Sequence, residues 1–296
     1  MTDSFSKYHP FVNLIYFTLT IGFSMTINHP LAQLISLVCA IVYVVSMQGR
    51  KSVGFLLKFC LPLMLLTAII NPVFNHEGQT ILLYFSNGNP LTLESILYGV
   101  SSGCMMITLL LWFSAFSSVM TTDKLIYLFG RIIPALSLVL SMTLRFVPRF
   151  KMQMKNVADA QRCIGKDVSS TSLLSRTKTA ITIVSVMITW SLENAIETAD
   201  SMKSRGYGLK GRTAFSVYRF EGRDKYALVW LVFCFFYILA GVLISAFGFR
   251  YFPDIKYSVF DITTIPFYII YFGLCITPVV LNTVEDRKWK TIYSKM

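Results

Sequence analysis

Apolar runs long enough to cross a lipid bilayer recur along this chain, and they leave few folds open to it. A hydrocarbon core of about 30 Å takes roughly 20 residues of α-helix, and stretches of this kind fall at 11–27, 31–47, 54–71, 95–119, 227–248 and 264–282. In hydrocarbon, backbone N–H and C=O groups must bond within their own segment, so runs of this length fold as helices. Two shorter apolar runs, 132–144 and 179–190, fit either tilted spans or amphipathic helices. The expectation is an all-α integral membrane protein with about six transmembrane helices, and eight if both short runs cross. Composition agrees: 54% of the 296 residues are hydrophobic and 14% charged, with a mean hydropathy of +0.60, where soluble domains carry roughly a quarter charged residues.

The net charge of +12 follows from bilayer orientation rather than from nucleic-acid binding, which needs a water-exposed basic domain. The loop at 72–93 contains no Lys or Arg, and in 249–263 Arg250 and Lys256 are offset by Asp254 and Asp261, so both are expected outside. Arg50, Lys51 and Lys58 follow the second span, and Arg287, Lys288, Lys290 and Lys295 lie in the tail; these are expected in the cytoplasm, with the N-terminus on the same side. Residues 120–227 hold seventeen Lys or Arg against eight Asp or Glu. The chain thus divides into N-terminal spans at 1–119, a cytoplasmic module with membrane-proximal helices at 120–226, and C-terminal spans with a cytoplasmic tail at 227–296.

Within the spans, Gly99-x-x-x-Gly103 and Gly241-x-x-x-Ser245 offer small-residue faces for close helix packing. Asn71-Pro72 is expected to end the third span, and Ser86-Asn87-Gly88-Asn89-Pro90 to form an outside turn with a hairpin tip. No Asp, Glu, Lys or Arg lies deep in these six spans, which argues against a self-powered, ion-coupled carrier. Cys39, Cys60, Cys104, Cys234 and Cys275 sit in or beside apolar runs and read as packing residues, whereas Cys163 lies in a polar region without a nearby His or second Cys. No metal site or cofactor is expected. Nor is a cleavable signal peptide, since no small-residue cleavage site follows the run at 11–27.

The middle of the chain carries the most unusual pattern. Thr121, Thr122 or Asp123 is placed to cap a short helix reaching Gly130. From 146 to 164, Phe150, Met154, Val157 and Ala158 share one helix face, and Lys151, Lys155, Asp159 and Arg162 another, with Pro134 and Pro148 limiting what can be continuous. Gly165 and the polar stretch Asp167–Ser172 end it. From 180 to 205, Val184, Ile188, Leu192, Ala195, Ala199 and Met202 form a seam, while Glu193, Glu197 and Asp200 fall elsewhere. An anionic leaflet would repel that acidic face, so a protein surface suits it better. This second helix closes at Ser204-Arg205-Gly206, with glycine for a left-handed turn and a cation at the negative end of the dipole.

Catalytic constellations are missing from the sequence. Gly165-Lys166-Asp167 lacks the first glycine and the Ser or Thr of a phosphate-binding loop, and Glu193 with Glu197 has no third ligand or histidine beside it. An energy source, if there is one, belongs to a partner.

The pattern that remains is specific when taken together: Asn71-Pro72-Val73-Phe74, Leu91-Thr92-Leu93-Glu94-Ser95-Ile96-Leu97-Tyr98-Gly99, Arg145-Phe146-Val147-Pro148-Arg149, Ala160-Gln161 and Ala199-Asp200-Ser201-Met202-Lys203-Ser204-Arg205-Gly206. On these residues the chain resembles the transmembrane T component of energy-coupling factor transporters, the CbiQ/EcfT family. The resemblance implies a non-catalytic subunit in a prokaryotic plasma membrane, joining two cytoplasmic ABC-type ATPases to a small substrate-binding membrane subunit that chooses the cargo, vitamin or metal ion. It also implies that each long helix ends in an Ala-Arg-Gly-like triplet whose arginine engages an ATPase groove. Ser204-Arg205-Gly206 keeps that arginine, whereas the first triplet aligns with Cys163-Ile164-Gly165 and lacks it; Arg162, about 200° round the helix from Ile164, is a poor substitute. Unlike triplets point to two different ATPases. Two rival readings are a membrane scaffold that moves no solute and an ordinary ABC permease with its own substrate path.

Overall fold

The fold, a computed structural model, describes residues 3–49, 53–54, 56–84, 89–165, 173–209, 218–257 and 263–293. Arg50, Lys51, Lys295, the Ser86–Gly88 part of the expected turn and the 166–172 linker lie outside the described residues. Among those described, nine α-helices dominate: α1 Pro10–Thr26, α2 Pro30–Gln48, α3 Leu61–Phe74, α4 Leu93–Val119, α5 Thr122–Ile132, α6 Pro134–Cys163, α7 Leu173–Ser204, α8 Gly222–Leu243 and α9 Ile265–Tyr293. Two small antiparallel hairpins accompany them, Ile81–Tyr84 with Pro90–Thr92 and Phe249–Arg250 with Lys256–Tyr257. The chain divides into two compact units, Met1–Leu125 with Tyr218–Met296, and Ile126–Val217.

Local chemistry sets the helix starts in the first unit. α1 and α2 begin with the same His-Pro pair: proline fills the first helical position, where no N–H is needed, and the Nδ1 of His9 or His29 accepts from the N–H of Phe11 or Leu31 at 3.3 Å. α8 carries a reciprocal capping box between Glu221 and Asp224. Helices α2, α4, α8 and α9 are long and apolar enough to cross a membrane, and α1 and the 58–74 segment are shorter apolar helices. These six match the six runs read from the sequence.

The interior of this unit is aromatic and hydrogen-bonded. Trp112, Tyr16, Tyr43, Tyr271, Phe5 and Phe17 are almost wholly buried. Trp112 Nε1 donates to Ser36 Oγ at 3.0 Å, Ser36 Oγ lies 3.2 Å from Ser24 Oγ, and Tyr16 donates to the Cys275 carbonyl at 3.2 Å. Polar atoms that lipid cannot satisfy thus tie α1, α2, α4 and α9 together. Gly99 and Gly103 let α3 approach α4 closely: a Cβ on Gly103 would lie 2.5 Å from Thr67 Oγ1, and one on Gly99 3.2 Å from the Ala68 Cα. The other expected small-residue stripe does not form, because α8 ends at Leu243 and Ser245 lies beyond it with φ 60°.

The 27–29 turn and both hairpins share one end of this unit. His29 lies against Phe249 at 5.5 Å, and Tyr98, near the start of α4, against Tyr251 at 5.4 Å. The opposite end carries residues 3–9, the end of α4, the start of α8 and Asn282 of α9. Since the chain leaves at Val119 and returns at Gly222 on the same end, the segment between them crosses a bilayer an even number of times or not at all.

One expected helix stop and one expected helix start are corrected. α3 runs two residues past Pro72, and α6 continues through Pro148 as a single 30-residue helix, so the expected start at 146 moves back to 134. Proline removes one backbone donor, to the carbonyl four residues earlier, and the bonds on either side persist. α7 likewise begins at Leu173 rather than 180 and absorbs the ambiguous 179–190 run; by length and apolarity it too qualifies as a span.

Candidate functional site

The second unit consists chiefly of α6 and α7. Phe150 lies 6.1 Å from Trp190, whose indole also carries the Arg149 guanidinium at 5.9 Å. On one side of this crossing Met142 and Phe146 of α6 face Ala195, Thr198, Ala199 and Met202 of α7 across an open groove of ≈ 470 Å³, also lined by Lys203, Tyr207 and Gly208. Earlier residues of one helix therefore meet later residues of the other, and the pair is antiparallel. With about 1.5 Å of rise per residue, the C-terminus of each helix projects roughly 20 Å from the crossing, in opposite directions.

Both C-termini close on a left-handed glycine, as their sequence predicts. Gly206 has φ 72°; its N–H donates to Lys203 O at 3.0 Å, and that of Tyr207 reaches back to Met202 O at 3.0 Å. This pair of bonds is a Schellman motif, which satisfies carbonyls the helix would leave unpaired. Gly165 has φ 80° and donates to Arg162 O at 3.0 Å, with Ile164 bonded to Gln161 O at 3.2 Å. A β-branched residue at either glycine would be strained.

The two tips differ in what they offer. Ser204 and Arg205 are exposed, and the Arg205 guanidinium sits at the negative end of the α7 dipole with Lys203 in the last turn. At the other tip Cys163, Ile164 and Gly165 are exposed, and Ile164 keeps 70% of its surface open. One tip suits a carboxylate through charge-assisted hydrogen bonds; the other suits an apolar recess. The structure thus places all six residues of the two triplets at helix ends, three at each end of the pair.

The seam along α7 is corrected in part. The residues turned inward are Thr179, Ile183, Met187 and Asn194, whereas Val184, Ile188 and Leu192 are 57%, 55% and 60% exposed. Glu193, Glu197 and Asp200 are exposed as well. Sequence reading missed the groove, because its α6 wall lies upstream of Pro148; the small residues Ala195, Thr198 and Ala199 on α7 were its visible signal.

Comparison with known proteins agrees in kind. Residues 2–215 match the CbiQ family, described as cobalt transport protein. The Energy-coupling factor transporter transmembrane protein EcfT of Lactobacillus helveticus is 36% identical over 110 residues, which cover 37% of this chain and 38% of that protein, little more than a third of its length. EcfT 1 of Listeria monocytogenes is 28% identical over 201 residues, 62% of this chain and 73% of the relative. The EcfT of Brevibacillus brevis is 27% identical over 188 residues, covering 60% and 71%.

Proposed function

The chain belongs to the CbiQ family of cobalt transport proteins, and on that premise we propose that it is the transmembrane coupling subunit of an ABC-type importer of the energy-coupling-factor kind. It transmits ATP-driven motion from two cytoplasmic ATPases to a separate substrate-binding membrane subunit. The observation that carries the reading is the antiparallel helix pair, ending in two exposed, glycine-closed and chemically unlike tips, in a chain otherwise built of apolar helices. ATP hydrolysis falls to the partners, and cargo choice to the binding subunit. The end bearing residues 3–9, α5 and the start of α8 faces the cytoplasm of a prokaryotic cell, in line with the Lys and Arg excess of 120–227.

The two tips engage different ATPases. Arg205 pairs with a carboxylate on one, and Cys163-Ile164-Gly165 docks on the other by apolar contact. Removing one partner of a desolvated charge pair costs about 2–5 kcal/mol, so Arg205→Glu, which adds repulsion, is expected to leave membrane insertion intact, reduce ATPase co-purification at least tenfold and abolish uptake in reconstituted vesicles. Wild-type uptake by this variant would refute the role of Arg205. Recovery of a single ATPase species in pairs would count against the heterodimer.

A further inference from the structure

Residues Asp3–His9 touch α1, α2, α5, α8 and α9 on their side of the first unit. The Asp3 carboxylate accepts from Tyr43 of α2 at 3.1 Å and from the Asn282 amide of α9 at 2.6 Å, and the same Asn282 accepts from Phe5 N–H at 2.9 Å. The Phe5 ring is buried edge-on against Tyr16 at 5.1 Å. His9 N–H donates to Asp224 at 3.0 Å, the residue whose carboxylate also caps α8 by accepting from Glu221 N–H at 2.9 Å. Lys124 of α5 is 7% exposed; its ammonium donates to the Ser6 carbonyl and, at 2.9 Å, to the Val119 carbonyl at the end of α4. Burial lowers its pKa and the Asp3 carboxylate opposes that shift, so this is a lysine held away from water by specific acceptors.

The position of these contacts gives them a purpose. The Ile126–Val217 unit is joined covalently to the rest of the chain at Leu125–Ile126 and at Val217–Tyr218. Lys124 lies one residue before the first junction, and Asp224 seven residues after the second begins. Any displacement arriving along the backbone reaches α5 and the start of α8 first. Whether it continues into α1, α2 and α9 depends on how stiffly those ends are bound to one another.

We propose that Asp3–His9, with Lys124, Asp224 and Asn282, is a clasp that locks both backbone junctions of the 126–217 unit to the membrane helices, with Lys124 as the positioning residue that makes ATP-driven motion productive. The proposal rests on the coupling-subunit reading and adds a site remote from either tip. Loss of the clasp leaves ATPase docking in place, and the stroke is absorbed as slack at the junctions.

The test uses the complete importer, reconstituted in vesicles, with uptake and ATP hydrolysis measured together. Lys124→Met retains the aliphatic stem and loses both carbonyl bonds; it is expected to lower substrate moved per ATP at least tenfold, with ATP hydrolysis within twofold of wild type and the ATPases still co-purifying. Lys124→Arg, which keeps the charge and donors, is expected to recover a third or more of uptake. Should Lys124→Met not fold, Asn282→Ala, which frees Asp3 and Phe5 from α9, faces the same criteria. An unchanged ratio of uptake to hydrolysis in a folded variant, or a parallel fall of both, overturns the clasp alone. Absence of ATP-driven uptake by the wild-type complex overturns the coupling-subunit reading, and the clasp with it.

Discussion

Trp112 and Trp190 stand in helices of similar length, and their surroundings differ as their units do. Trp112 is fully buried, flanked by Tyr16 at 6.0 Å, Phe17 at 6.4 Å and Tyr43 at 6.3 Å, with its indole N–H bonded to Ser36. Trp190 is half-buried and meets Phe150 and Arg149 at a single crossing. The first unit carries its own interior. The second has little interior to lose, and places Val184, Ile188, Leu192 and Ile196 at its surface. The two units are built from the same kind of helix, and what separates them is how much of each helix the chain itself covers.

That contrast is open to direct attack, and the largest effect belongs to Trp112. Trp112→Ala is expected to cost about 3–5 kcal/mol, the range for deleting a buried tryptophan, read as a lower thermal midpoint of the purified protein in detergent. Trp190→Ala removes one ring pair and one cation–π contact, together about 1–2 kcal/mol. Its loss is expected as faster amide hydrogen exchange confined to α6 and α7, with the midpoint of the first unit unmoved; a global loss as large as that of Trp112→Ala would erase the distinction. Leu192→Ser is expected to change stability by no more than about 0.5 kcal/mol, as for most exposed positions. A drop above 1 kcal/mol in the isolated chain would mean that Leu192 is covered from within.

How much of this could be read from the residues depends on how local the determining physics is. The six apolar runs became six helices because bilayer-length hydrophobicity needs no knowledge of neighbours, and Gly165 and Gly206 closed their helices because a left-handed turn selects glycine by itself. Gly99 and Gly103 were legible for the same reason, as small residues one turn apart. Pro72 and Pro148 misled: proline weakens a helix locally, yet a helix whose remaining bonds are intact absorbs one missing donor. The α7 seam misled in another way, since periodicity reports an apolar stripe without saying what covers it, and Ile183 and Met187 rather than Val184 and Ile188 turned inward. Lys124 gave no signal, because its burial is set by carbonyls 118 residues away at Ser6 and five residues away at Val119.

The close approach of α3 to α4 bears on how the protein is made. α3 packs chiefly on α4, through the hollow left by Gly99 and Gly103, and that partner leaves the ribosome after it. α3 itself is only 14 residues long and keeps Leu61, Leu65, Leu66, Ile69, Ile70 and Val73 exposed in the finished fold. The glycines of the later helix are thus the surface that receives the earlier one at backbone range.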